Sequence, residues 1–323
     1  MSELNLTDVK SIIQSLKDGI KEYRNSAKYK EMLDTMAKFY HYSYGNSILI
    51  SAQKPEASYC GSMKFWNSLG RYISKGEHGI KILCPNPRIE TYEVKDREGN
   101  PVLDENGNPK TKKIEYVTFS VGNTFDISQT YGKELNLQGK ELIGEGLNKP
   151  EFLKAMQEIA NVKEIKVQPI KGGAKGYFDL EGNEIVVKEG MSDLQTTKTV
   201  VHETAHAVVF SDEELAKTLD RSEHEIVAES VAYVVCKRFG LDTSEYSFDY
   251  VNGWARSNDE TIEKCIETIS ITSRNIITKM EEKLGLKQEL DIKKENFNSI
   301  VKSKENKQVK TKSKQKGMKK WEI

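Results

Sequence analysis

The stretch that decides the reading is SDLQTTKTVVHETAHAVVF, Ser192–Phe210. Ser192 followed three residues later by Gln195 is a capping-box signature, which opens a helix running to about Phe210. Within it stands HETAH, His202 to His206. Histidines at i and i+4 share one helix face, so both imidazoles can reach a single Zn2+. Glu203 sits beside them, where a carboxylate can take a proton from water and return it to a leaving amine. The flanking Val200, Val201, Ala207, Val208 and Val209 suit a buried helix. With five His in 323 residues, this pairing around a Glu is an uncommon coincidence. Two structural histidines are the alternative.

A catalytic zinc site needs a third protein donor. The next helix, from about Ser222 to Phe239 with Gly240 as its stop, begins SEHEIVAE (Ser222 to Glu229). Eighteen residues separate His206 from Glu225. That spacing resembles the HExxH-x18-E pattern of the gluzincin metallopeptidases, which assigns His202, His206 and Glu225 as metal ligands and Glu203 as the catalytic base. Glu229 lies one turn further on the same face and is expected to hold a ligand histidine through its other ring nitrogen. Glu229 or His224 as the third ligand are the alternatives. Thr204 departs from that pattern, where a bulky apolar residue usually follows the Glu. Spacing does not identify the oxyanion-stabilising group; Tyr246, Tyr250 and His224 are candidates.

Outward from these helices the chain reads as α+β. Val9, Ile12, Ile13, Leu16, Ile20 and Tyr23 form a helical stripe with Thr7 as its N-cap. A second helix buries Tyr29, Met32, Leu33, Met36 and Phe39. A third carries Ile48, Leu49 and Ala52 and is stopped by Pro55. A helical piece from Met63 to Leu69 ends at Gly70, and short strands follow at Arg71–Ile73 and Ile80–Cys84. Thr91–Lys95 and Lys113–Phe119 are the expected arms of a hairpin whose tip holds two near-identical turns, DREGNP (Asp96–Pro101) and DENGNP (Asp104–Pro109). Asp104, Asn106, Asn108 and Glu115 echo a calcium loop, but Pro109 stands where that loop needs Gly, so a hairpin tip is the expectation. A turn-rich stretch, Lys140–Pro150, marks a domain boundary. Beyond it come a helix (Glu151–Asn161), a strand (Glu164–Pro169), a hairpin (Gly176–Leu180 with Glu184–Lys188) and a last long helix (Asp259–Leu284). The expected domains are 1–145, 146–288 and a tail, 289–323.

Composition narrows the class. Hydrophobic residues make up 37% and charged residues 30%, with a mean hydropathy of −0.62. No apolar run is long enough to span a bilayer and the first residues are polar, so a cytoplasmic protein with no membrane partner is expected. The four cysteines, Cys60, Cys84, Cys236 and Cys265, are far apart and read as reduced structural thiols. The net charge is zero from 49 Lys and Arg against 49 Asp and Glu, yet Lys302–Ile323 alone holds nine Lys and two Glu. The remainder is therefore acidic, with 40 basic and 47 acidic residues. The tail reads as basic and disordered, suited to nucleic acid or simply to solubility.

YSYGNSILISAQKP (Tyr42–Pro55), FWNSLGRYISKGEHGIKIL (Phe65–Leu83) and NTFDISQT (Asn123–Thr130), together with HETAHA and EIVAESVAYVVC, resemble ArdC-type antirestriction proteins, in particular their Gram-positive mobile-element branch. The resemblance spans roughly Val9–Leu284. It implies an N-terminal α+β domain that binds single-stranded DNA, followed by a zincin-like, gluzincin-type metallopeptidase domain with a protein or peptide substrate. It also implies protection of incoming DNA from host restriction during conjugative transfer. Beside it, Trp66, Arg71, Lys75 and Lys81 interleave an aromatic with cations among glycines, a set that can stack a base and track phosphates. Trp66 fits a core role equally well. Asn46 and Gln53, seven apart on one helix face, can read nucleotide edges or cap neighbouring backbone. The alternative from another class is a non-enzymatic DNA-protecting protein whose zinc is structural.

Overall fold

The structure, a computed structural model, describes residues 5–135, 149–246, 248 and 258–285. Helix α1 (Val9–Gly19) starts one residue later than expected: Asp8, not Thr7, is its N-cap, accepting the Ser11 N–H at 3.0 Å. A short 3-10 turn leads to α2 (Ser26–Lys38), capped by Asn25. Tyr29, Met32, Leu33 and Met36 are buried along it as their spacing predicts. Phe39 lies just past the helix end and joins Ile50, Ala57, Cys60 and Ile80 in a small separate cluster. Helix α3 (Tyr44–Gln53) follows, capped by Ser43.

Strand β1 (Cys60–Gly61) and helix α4 (Met63–Ser68) precede β2 (Arg71–Ile73), and Gly70 makes the turn between them at φ +74°. The hairpin is longer than its sequence suggests. Strand β3 (Ile80–Glu93) pairs without interruption against β4 (Thr111–Asp126), from Ile80↔Thr124 to Glu93↔Thr111. Pro85 and Pro87 conceal this in the sequence. The sheet order is β1-β4-β3, so β3 is an edge strand, and two prolines of equal parity can turn their missing N–H groups away from β4. At the tip, Asp96 accepts the N–H groups of Glu98 and Asn100, and Asp104 those of Asn106 and Asn108, all at 2.9 Å. These carboxylates are consumed by the turns, as a hairpin tip requires. Strand β5 (Thr130–Gly132) pairs antiparallel with β2 in a two-stranded ribbon among the described residues.

The second half begins with α5 (Lys149–Ala160) and a three-stranded sheet of order β6-β8-β7: β6 (Glu164–Gln168), β7 (Gly176–Asp179) and β8 (Glu184–Lys188). Strand β6 runs parallel to β8 and β7 antiparallel, which leaves β7 at an edge. Helix α6 (Asp193–Phe210) packs on β7, β8 and α8 (Arg221–Arg238), with the short α7 (Glu213–Ala216) between, and α9 (Asp259–Lys283) packs on α8.

The expected boundary falls at residues 145 and 146, outside the described residues, as does the tail 289–323. One apolar cluster nevertheless extends from Ile20 and Tyr29 through Ile185 and Val200 to Val231 and Ile269. The Tyr29 hydroxyl meets Ser230 Oγ at 2.7 Å, and the Tyr233 hydroxyl donates to Asp34 at 2.7 Å. Glu281, fully buried on α9, accepts from Arg238 at 2.8 Å and from the Tyr40 hydroxyl at 2.5 Å. A buried carboxylate is tolerable only with such partners. Helix α8, which carries the candidate acidic ligands, is thus braced from behind by α2 and α9.

Candidate metal centre

Ser192 accepts the Gln195 N–H at 3.2 Å and sets the start of α6. A capping box that sequence reasoning missed sets the start of α8: Asp220 accepts the Glu223 N–H at 2.9 Å, and Glu223 returns a bond to the Asp220 N–H at 2.8 Å. Together they fix which faces of the two helices meet. His202 Nε2 lies 3.2 Å from His206 Nε2, and Glu225 carboxylate oxygens lie 3.6 Å and 3.7 Å from these two nitrogens. All three donors fall within 4.8 Å of one another. Ligand bonds of about 2.0–2.1 Å in a tetrahedron put neighbouring donors about 3.3 Å apart. The donor set, two imidazoles and one carboxylate, fits a borderline divalent ion on both separation and chemistry. Glu229 stands on the other side of His202, with Oε2 3.0 Å from Nδ1, so it holds the ring and leaves Nε2 facing the other donors.

The charges are strongly coupled. Burial opposes a charged His202, but the Glu225 and Glu229 carboxylates outweigh it and push the imidazole up to about 10. Glu225 is drawn well below the usual carboxylate range by its bonds to His202 and His206, against the cost of burial. Such a site attracts a cation. Glu203, only 6% exposed, is raised above the usual range by burial, which the two histidines only partly offset. A buried carboxylate of raised basicity can take up and release a proton.

Gly176 permits this closeness. A Cβ there would meet Thr199 Cγ2 at 2.6 Å, the Val186 carbonyl at 3.0 Å and Glu203 Oε1 at 3.2 Å. The edge strand β7 therefore borders Thr199 and Glu203 directly, along a cleft of about 900 Å3 that His202, His206 and Glu225 also line.

Other candidates are engaged elsewhere. The His224 ring stacks on Phe210 at 4.6 Å, and its Nε2 lies 3.1 Å from the Ala216 carbonyl, so it is not part of the donor group. The Tyr246 hydroxyl points to Cys236 Sγ at 3.9 Å. Tyr250 lies outside the described residues. The Cys236 and Cys265 thiols are pushed up to about 12 by burial, and none of the four cysteines is bridged to another, as their spacing suggests.

In the N-terminal half the structure chooses between the roles left open for the nucleic-acid candidates. Trp66 is 0% exposed and its indole N–H donates to the Phe125 carbonyl at 2.9 Å; no base can stack on it there. Asn46 forms a two-way bond with the Leu83 backbone, at 2.8 Å and 2.9 Å. Gln53 does the same with Lys81, at 2.9 Å in each direction, so these two amides clip α3 to β3. The Arg71 guanidinium is spent on Thr130 Oγ1, the Thr130 carbonyl and the Lys133 carbonyl, tying β5 to β2. Lys75 is exposed, and Lys81, also exposed, reaches the Leu6 carbonyl at 3.1 Å. What the sequence did not reveal is an exposed aromatic pair. Tyr72 and Tyr131 face each other across β2 and β5, 50% and 59% exposed, with ring centroids 6.0 Å apart. Only the strand pairing brings them together.

Residues 5–122 match a family model described as the N-terminal domain of anti-restriction factor ArdC. The chain is similar to an uncharacterized protein of Bacillus anthracis, 27% identical over 309 residues, which cover 86% of this chain and 52% of the other. It thus spans about half the length of that curated relative. Two crystal structures of the antirestriction ArdC protein from the R388 plasmid are also similar. The metal-free form gives a TM-score of 0.46 at 19% identity, covering 76% of this chain and 86% of that one. The Mn(II)-bound form gives 0.42 at 18%, covering 73% and 87%. Among the described residues, no helix is long and apolar enough to cross a membrane.

Proposed function

We propose that this chain, whose residues 5–122 match the N-terminal domain of anti-restriction factor ArdC, is a DNA-protecting factor of a mobile element that carries a divalent-metal-dependent peptidase site. The observation that carries the second half is the meeting of His202, His206 and Glu225 beside a buried Glu203 at the edge of a cleft. His202, His206 and Glu225 would hold the ion, with Zn2+ as first choice for an N2O donor set. When bound, the ion supplies Lewis-acid chemistry, acidifying water and polarising a substrate carbonyl.

The chain's own residues do the rest. Glu229 fixes His202 through Nδ1, so the ring cannot rotate its other nitrogen away. Glu203 accepts the proton of the attacking water and delivers it to the leaving amine, a task that suits a carboxylate of raised basicity. The edge strand β7 offers backbone groups along the cleft to an extended peptide, in the manner of strand addition. The reading in which the ion is only structural would call for a closed set of four protein donors. Among the described residues the donor group has three members.

For the DNA half, we assign single-strand contact to Tyr72 and Tyr131, with Lys75 and Lys81 as exposed cations, in place of the buried Trp66. The experiment for the whole reading uses full-length protein with and without Zn2+. Wild type is expected to hold one ion, to cleave a denatured protein substrate and to retain single-stranded DNA in preference to duplex. Glu203→Gln is expected to keep the ion and the DNA but not cleavage. Cleavage undiminished in Glu203→Gln would overturn the peptidase assignment.

A further inference from the structure

Lys198 is a cation inside the candidate cleft that the proposed chemistry does not use. It stands on α6 four residues before His202, so Lys198, His202 and His206 share one face. The residue is only 6% exposed, and among the described residues its Nζ makes no hydrogen bond. Its nearest anion is Glu245, whose Oε2 is 3.6 Å away and whose side chain is 77% exposed. The Tyr246 ring face lies 5.2 Å away. An ammonium carries three donors and no acceptor, and burying one without an acceptor is costly. Two further cations line the cleft: Lys175, which already donates to Gln195 at 3.0 Å, and Arg221, which is exposed, so Lys198 is the buried one of the three.

We infer that Lys198 forms a subsite for a carboxylate of the substrate, one helical turn from the donor group; this rests on the peptidase reading. One turn of α6 is about 5.4 Å, and an extended peptide advances about 3.3 Å per residue. A peptide lying along β7 with its scissile carbonyl at the donors therefore brings a group one or two residues away to Lys198. Glu203, Glu225 and Glu229 line the same cleft, and Lys198 is the cation there that is both buried and without a hydrogen bond among the described residues, so it is the one that gains most from an incoming anion. Glu245, exposed and beyond hydrogen-bond distance, is a counter-ion that an incoming carboxylate can displace. The carboxylate can belong to an acidic side chain or to the peptide's own C-terminus.

The test uses zinc-loaded, full-length Glu203→Gln and three fluorescent heptapeptide pools, read by anisotropy. Two pools have blocked ends and differ only in a central Glu or Gln. The third has the central Gln and a free C-terminal carboxylate. At least one carboxylate-bearing pool is expected to bind about ten- to a hundredfold tighter than the blocked Gln pool, and which one does identifies the source. The preference is expected to vanish in Lys198→Met and to persist in Lys198→Arg, each with its zinc retained. Lys198→Gln replaces the Met variant if that does not fold. Equal binding of all pools, binding of none, or a preference that survives loss of the lysine would overturn the inference. A preference seen in binding, with no cleavage by wild type, would uphold the subsite and overturn the peptidase reading instead.

Discussion

The cleft and the N-terminal sheets handle polar chemistry in opposite ways. In the cleft, charged groups are packed together under cover: Glu203 is buried, His202 is mostly buried, and Glu225 and Glu229 grip the same imidazole from two sides. On the β2–β5 ribbon, Tyr72 and Tyr131 stand in the open. Buried charges set one another's protonation, so changing one alters its neighbours as well as the ligand. An exposed ring acts on the ligand alone. Substitutions in the first region should therefore disturb metal, protons and stability together, and those in the second should change binding alone.

The largest effects belong to the donors. His202→Ala and His206→Ala should each lose the ion on dialysis, as read by metal analysis, and Glu225→Ala should do the same. Glu229→Ala should weaken metal affinity by only about 10- to 100-fold, because it acts through His202. Glu203→Gln should keep the ion and lower the hydrolysis rate by about 10²–10⁴. If Glu229→Ala were the more damaging of the two carboxylate changes, the ligand would be misassigned by one helical turn.

Trp66 and Tyr72 make the contrast between covered and open groups within one half of the chain. Trp66→Ala removes a fully buried ring and its bond to Phe125, and should cost about 3–5 kcal/mol in denaturant unfolding. Tyr72→Ala should weaken single-stranded DNA binding by about 1–3 kcal/mol and leave stability within about 0.5 kcal/mol. Lys75→Ala should make the salt dependence of that binding shallower, by about 0.7 for each phosphate that the lysine neutralises. Unchanged DNA affinity in both tyrosine variants would move the interface off this ribbon.

These two regions also differ in how much of them could be read from the chain. The shared faces, of His202 with His206 and of Glu225 with Glu229, were legible because helical spacing is local: i and i+4 meet whatever else the protein does. The partnership of α6 with α8 followed from a resemblance in spacing, and the structure brings His202, His206 and Glu225 within reach of one another. In the N-terminal half, Asn46, Gln53, Trp66 and Arg71 are residue types that suit DNA and backbone equally. Their partners, Leu83, Lys81, Phe125 and Thr130, lie 37, 28, 59 and 59 positions away. Tyr72 and Tyr131 are likewise joined only by strand register. Non-local pairing leaves little local trace, and the prolines at 85 and 87 even masked a continuous strand.

A smaller effect tests the coupling of charges in the cleft. Without metal, His202 holds its proton up to about 10, above its ordinary value of about 6.5. Its contribution to stability is therefore complete below about pH 6.5 and declines as pH rises toward 10. Metal replaces that proton, so affinity should rise over the same window. Thermal melting in chelator should accordingly fall with pH relative to His202→Gln, while the stabilisation added by Zn2+ grows. Parallel pH profiles for wild type and His202→Gln would show that the imidazole is not held charged by Glu225 and Glu229.

The smallest effect comes from the residue at odds with its helix. Thr204 follows Glu203 where an apolar side chain is usual, is completely buried, and has an Oγ1 with no hydrogen-bond partner among the described residues. Two neighbours show the ordinary solution: Thr197 donates to the Asp193 carbonyl at 2.8 Å and Thr199 to the Gln195 carbonyl at 2.9 Å. A buried hydroxyl without such a bond gives up its water for nothing in return. Thr204→Val keeps the branched shape and removes the hydroxyl. It should add about 1 kcal/mol of stability, seen as a rise in melting temperature of about 2–4 °C, with zinc content unchanged. Loss of stability in the Val variant would mean that the hydroxyl has a partner after all, and that this position belongs to the polar network of the cleft.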